Sequence, residues 1–241
     1  MRQLLGVCLG LGIACLSSTA FAQSESGLAL GLRLGYAMPM GKAGAIPPAS
    51  GGTADTSDDD VHDAVKGMIP IWLDVGYRIN PALYVGAFFQ YGFGLVNKDS
   101  ADAAICNQGG SCSAHDISFG ANLHYHLLPD GPIDPWLGAG LGYEFLTASE
   151  SGTATILNQR VNIDGSATLK GFQFLVLEAG GDFKATPALA VGPFVNFALG
   201  KYTTWSSDST VNGSSASRDG DLQDTGLHEW LTFGLRGQYN L

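Results

Sequence analysis

The chain has 241 residues, 45% hydrophobic and 14% charged, with 34 glycines. Its formal net charge of -10 excludes the basic face that nucleic acid demands. Beyond the N-terminus no run of 18 uninterrupted apolar residues exists to span a bilayer as a helix, and a chain this apolar has one other way across, a closed barrel that satisfies every backbone group between strands.

The N-terminus fixes the expected compartment. Arg2 precedes an apolar stretch from Leu4 to Leu16, and Ala20-Phe21-Ala22 is a small-x-small cleavage site. Residues 1–22 therefore read as a signal peptide removed before Gln23. A membrane anchor fits less well, because the apolar run is short and ends in Ser17, Ser18 and Thr19. A lipidated Cys15 fits less well, because Gly12-Ile13-Ala14 lacks the usual leucine. The remaining residues, 23–241, are enough for one domain.

Period-two alternation then recurs eight times, the mark of strands with two unlike faces. The first run places Leu28, Leu30, Leu32, Leu34 and Tyr36 opposite Ala29, Gly31, Arg33 and Gly35. The second sets Ile69, Ile71, Leu73, Val75, Tyr77 and Ile79 against Trp72, Asp74, Gly76 and Arg78. The third sets Leu83, Val85, Ala87, Phe89, Tyr91 and Phe93 against Tyr84, Gly86, Phe88 and Gln90. The fourth sets Ile117, Phe119, Ala121, Leu123, Tyr125 and Leu127 against Asp116, Ser118, Asn122, His124 and His126. The fifth sets Leu137, Ala139, Leu141, Tyr143 and Phe145 against Trp136, three glycines and Glu144. The sixth, around Leu175, Leu177, Ala179 and Phe183 against Glu178 and Asp182, is less regular, and Phe172 to Val176 is apolar on both faces. The seventh sets Leu189, Val191, Val195, Phe197 and Leu199 against Phe194 and Asn196, with Pro193 on the apolar side although proline cannot donate to a ladder. The eighth sets Leu231, Phe233, Leu235, Tyr239 and Leu241 against Trp230, Thr232, Arg236 and Gln238.

The runs are long enough to cross a bilayer when tilted, whereas soluble strands cluster near five or six residues. Their apolar face is too crowded for a narrow lumen, so it faces lipid and the face bearing the charges points inward. Connections alternate in length. Three are short turns, at 80–82, 185–188 and 128–135. The others, 38–67, 96–114, 148–168 and 203–227, are expected as long polar loops. Short turns belong on the periplasmic side, which puts both termini there. Outward Tyr36, Tyr91, Phe93, Phe119, Tyr143 and Phe145 then fall near one interface, and Tyr77, Tyr125, Phe183 and Tyr239 near the other. The expected fold is all-β, an eight-stranded antiparallel up-and-down transmembrane β-barrel.

Stretches such as Asn80-Pro81-Ala82-Leu83-Tyr84-Val85-Gly86 and Pro135-Trp136-Leu137-Gly138-Ala139-Gly140-Leu141-Gly142-Tyr143 are similar in style to small bacterial barrels. The whole mature chain resembles the eight-stranded outer-membrane proteins of the OmpA-transmembrane-domain, OmpX and OmpW kind. The resemblance implies insertion by the outer-membrane assembly machinery, contact with outer-membrane lipid and lipopolysaccharide, and a monomer. Members of this kind usually end in an aromatic residue; this chain ends in Leu241. No periplasmic domain is expected after Leu241.

Inward Arg33, Arg78 and Arg236 are expected to meet Asp74, Glu144 and Glu178 in a plug of mutual ion pairs; the functional counterpart is a gate in a narrow pore. Cys106 and Cys112 bracket a short polar stretch and are expected to form a disulfide, two thiols alone being half a zinc site. Asp55, Asp58, Asp59, Asp60 and Asp63 crowd the first long loop, and Asp208, Asp219, Asp221 and Asp224 the last. They read as a solvated surface rather than a metal site, since Asp219-Gly220-Asp221 lacks the full calcium-loop pattern. His62 and His115 belong in or near loops. Asp116, Ser118 and His228 share one rim, as a lipid A-modifying enzyme would require, but lie on opposite sides of the ring, which argues against a triad. No cofactor, metal site or catalytic residue is expected. The reading is a non-enzymatic surface scaffold presenting acidic loops for interaction or adhesion; the alternatives are a narrow channel or carrier for small hydrophobic solutes and, third, a lipid A-modifying enzyme.

Overall fold

A computed structural model of the chain describes residues 26–48, 60–98, 104–107, 109–156 and 159–241. The signal-peptide reading, and Asp55, Asp58 and Asp59 of the first acidic loop, lie outside the described residues.

Nine strands form one antiparallel sheet: β1 (Gly27–Gly41), β2 (Val65–Asn80), β3 (Leu83–Val96), β4 (Ser111–His126), β5 (Ile133–Ile156), β6 (Gln159–Lys184), β7 (Leu189–Val211), β8 (Ser214–Asp221) and β9 (His228–Asn240). Two single-turn helices, α1 (Val61–Ala64) and α2 (Ala104–Asn107), sit in the first two long connections. Neighbours pair in order from β1 to β7, β7 pairs β9, and β9 pairs β1, closing a ring of eight. The predicted eighth run is β9; β8 is an extra strand attached to β7 above the ring.

Alternation decides which way each side chain points. Leu32, Leu73, Leu141 and Leu235 are 55%, 53%, 50% and 63% exposed, while Arg33 on the opposite face is 1% exposed. A continuous apolar exterior around a polar interior is the inverse of a soluble barrel, and hydrocarbon is the solvent that such an exterior matches. Outward rings meet across neighbouring strands, as in Tyr36–Phe233 and Phe119–Phe145.

Three irregularities have local causes. At Phe174 and Leu175 consecutive side chains both face outward, because pairing shifts from Gln173↔Gly200 to Leu175↔Leu199: a β-bulge accounts for the two-faced apolar stretch. Pro193 pairs with Leu235 on β9, while the β6–β7 pairing passes directly from Gly180↔Phe194 to Phe183↔Val191. Pro70 likewise keeps its β3 partner Gly92, and the β1–β2 pairing skips from Leu34↔Ile71 to Ala37↔Met68. Each proline therefore sits where one of its two ladders is interrupted, so its missing N–H leaves no gap in a regular run.

The segments 148–168 and 203–227, expected as loops, are largely strand. β5 and β6 continue their pairing through Ala148↔Ala167 and Ser151↔Asp164 to Ile156↔Gln159, and β7 and β8 form a hairpin. Above the apolar belt both faces meet water, so the hydrophobic alternation vanishes while β-forming Thr and Val sustain the ladder. Cross-strand polar pairs support it, as between the Thr147 and Thr168 hydroxyls at 2.9 Å. Asn212 and Gly213 at φ 48° and 83° supply the two left-handed residues of the β7–β8 turn. The result is a tall polar wall on one side of the ring.

Candidate functional site

Inward positions on all eight ring strands converge on a narrow lumen, which three clusters fill. At mid-height Arg33 donates from Nε to Asp74 Oδ2 at 2.7 Å, from Nη2 to Asp74 Oδ1, and from Nη1 to Glu178 Oε1 at 2.5 Å. Asn122 donates to Asp74 at 3.2 Å, Asn196 to Glu178 at 3.2 Å, and His124 Nε2 lies 2.5 Å from Glu178 Oε2. The Arg33 guanidinium also lies 5.5 Å from the Trp72 ring and 5.7 Å from Phe194, within a cluster of Trp72, Phe88, Trp136 and Phe194. Glycines make room for inward rings: a Cβ on Gly86 would collide with the Tyr84 hydroxyl oxygen.

Toward the short-turn end, Arg236 lies over Trp136 at 4.2 Å and reaches Asp182 at 3.8 Å, and Trp136 Nε1 donates to Asp182 at 3.1 Å. His126 Nδ1 contacts Asp134 at 2.7 Å. Arg78 departs from the expected pairing. It donates to the Pro81 carbonyl at 2.8 Å and faces His126 Nε2 at 3.3 Å, rather than bridging to Asp74, Glu144 or Glu178. The reason is position: Arg78 is two inward steps below Asp74 on β2, at the mouth, where a turn carbonyl is nearer than any of those carboxylates.

Toward the long-loop end, Glu144 is fully buried and meets four side chains from three strands, β6, β7 and β9. Gln173 Nε2 donates at 2.6 Å, Trp230 Nε1 at 2.8 Å and the Tyr202 hydroxyl at short range, and His228 Nε2 lies 3.2 Å away. Ser118 is directly opposite Glu144 across β4–β5, and Asp116, the next inward residue, accepts from Gln90 Nε2 at 2.8 Å. A buried apolar cluster that includes Met68, Leu146, Val176, Tyr202, Trp205 and Leu222, with Val61 from α1, packs in this half of the lumen.

No family model and no curated protein matches the chain. Solved structures do. A major outer membrane protein from Thermus thermophilus is 12% identical and aligns over 90% of this chain and 100% of its own, with a TM-score of 0.58. The chain has the fold of the small outer-membrane β-barrels. Neisserial surface protein A is 14% identical over 90% of this chain and 98% of its own (TM-score 0.46), and OprG from Pseudomonas aeruginosa 11% identical over 91% and 99% (TM-score 0.43). At these identities the likeness extends to the fold and no further.

Cavities open at both ends of the barrel. One of about 550 Å³ lies among the long connections, bordered by Asp60, Asp63, Glu150 and the wall residues Ala148, Ala167 and Ser207. One of about 290 Å³ lies at the other mouth, bordered by Arg78, Asp130, Asp134, Lys184 and Leu241. Between them, Gln90, Gln173, Glu178 and Asn196 border a void of about 10 Å³, room for about one water.

Six interior groups escaped sequence reasoning as members of the charge network: Asp116, Asp134, Asp182, His124, His126 and His228. Asp134 falls in the expected turn 128–135, where β5 in fact begins at Ile133; the other five were visible as polar residues at inward positions, but which strand faces which across the lumen is a matter of ring closure. Asp116 and Ser118 on β4 and His228 on β9 lie on opposite sides of the ring, as expected. Glu144 on β5 reaches across the lumen to His228. Ser118 and His228 are each 1% exposed and not hydrogen-bonded to each other. Cys106 and Cys112 are joined as a disulfide with Cα atoms 5.7 Å apart. Asp208, Asp219 and Asp221 are spread along the β7–β8 hairpin rather than converging.

Proposed function

We propose that this protein is an outer-membrane anchor that holds a tall polar β-wall and acidic connections at the cell surface, for recognition or adhesion. The carrying observation is the filled lumen: the void between the two end cavities is about 10 Å³, and ion pairs and rings occupy the rest. A rigid, plugged barrel positions what projects from it, and recognition falls to the projecting segments. In this reading residues 1–22 are removed on export, the short turns and both termini face the periplasm, the barrel is a monomer, and its partners are outer-membrane lipid and the assembly machinery.

The channel reading runs against the filled lumen. The enzyme reading runs against the burial of Ser118 and His228, which leaves no approach for a substrate. Planar-bilayer recording is the direct test. The scaffold reading predicts no steady conductance from the reconstituted wild type; a large, stable conductance would overturn it in favour of a pore.

A further inference from the structure

The outward face changes character at one level. On β6 the apolar series ends at Phe172 and the next outward residue is Lys170; on β7 it ends at Leu199 and the next is Lys201. Phe172 pairs with Lys201, and Lys170 pairs with Phe145 on β5 and Thr204 on β7. The two lysines thus stand on the outward faces of adjacent strands, Lys170 two residues from Phe172, the partner of Lys201, with a register shift between Lys170 and Gly171. Both are half-buried, and neither makes an ion pair or side-chain hydrogen bond among the described residues. Glu229 is the nearby outward acid, opposite Leu199, but its carboxylate turns toward Gly41 on β1.

This is an unusual arrangement in a chain of net charge -10. Two adjacent ammonium groups repel unless an anion lies between them, and none of the described residues supplies one there. They lie directly beside Phe145 and Phe172, their cross-strand partners, with Leu199 one outward step below Lys201, at the depth where hydrocarbon gives way to headgroups. A single phosphate held by two lysine side chains completes the charge balance, and acyl chains attached to it fall onto these apolar side chains. We propose that Lys170 and Lys201 hold a phosphate of an outer-leaflet lipid. The assignment rests on the reading that the long connections face outward.

Native mass spectrometry of the detergent-purified, folded barrel tests this with three probes: phosphorylated lipid A, the same lipid A stripped of both phosphates, and inorganic phosphate. The wild type is expected to retain one phosphorylated lipid A and neither of the others. A K170Q/K201Q variant is expected to lose about thirtyfold in retention, from roughly one interfacial charge contact per lysine. K170R/K201R should restore it, and K98Q should leave it unchanged. Equal retention by wild type and K170Q/K201Q, or equal retention of stripped lipid A, overturns the proposal. So does binding of inorganic phosphate alone. Folding of each variant is read independently by the shift in gel mobility between boiled and unboiled samples. Loss of the orientation reading shows separately, as protease cleavage of intact cells at the short turns.

Discussion

Replacing Arg33 with leucine removes the cation at the centre of the mid-lumen cluster. The side chain is 1% exposed, and its loss leaves Asp74 and Glu178, each 5% exposed, as two buried carboxylates without their guanidinium partner. Removing one member of a buried ion pair costs about 3–5 kcal/mol, chiefly because the survivor is stranded. Asn122, Asn196 and His124 still contact the carboxylates, which holds the expected loss near the middle of that range, about 4 kcal/mol. Equilibrium unfolding in urea, with the protein in lipid vesicles and followed by tryptophan fluorescence, measures it. The decisive comparison is R33L/D74N/E178Q, which keeps the shape and removes the stranded charges; it should recover most of the loss. If R33L alone costs less than about 1 kcal/mol, or the triple variant is no better than R33L, the cluster is not the buried ionic core argued for above.

Glu144→Leu strands the donors of Gln173, Tyr202 and Trp230 and should cost about 3 kcal/mol in the same assay, with Glu144→Gln recovering part of it. On the lipid face, Leu73→Arg at mid-belt should cost about 2–4 kcal/mol and Leu127→Arg near the short-turn rim about 0–1 kcal/mol, a depth dependence measured by vesicle refolding. C106S/C112S should shift the barrel transition by less than about 1 kcal/mol, because the disulfide ties α2 only to the outermost end of β4, while limited proteolysis between Ala104 and Gly110 becomes faster.

The lipid-facing pattern was legible because it repeats on every ring strand: one slip of register would turn Leu32 inward and Arg33 into lipid. That constraint ends where the bilayer ends. The upper parts of β5, β6 and β7 carry small and polar residues on both faces, so nothing in their hydrophobicity marks them as strand, although Asn212-Gly213 signals a hairpin. The interior was legible in kind but not in pairing. Arg33, Asp74 and Glu178 are recognisable as inward charges, yet their union depends on β1, β2 and β6 facing one another across a closed lumen. Arg78 shows the limit from the other direction: the sequence marks it as an inward cation, and its height on the strand gives it a turn carbonyl and His126 instead.

The account depends most on which face meets hydrocarbon, and the native tryptophans report on that. Trp72, Trp136, Trp205 and Trp230 all point inward and are 1–4% exposed, whereas Leu123 points outward at 45% exposed. In vesicles of lipid brominated along the acyl chains, the wild type should show weak fluorescence quenching and Leu123→Trp should add a strongly quenched component. Strong quenching of the native tryptophans, with Leu123→Trp left unquenched, would put the faces the other way round and contradict the account.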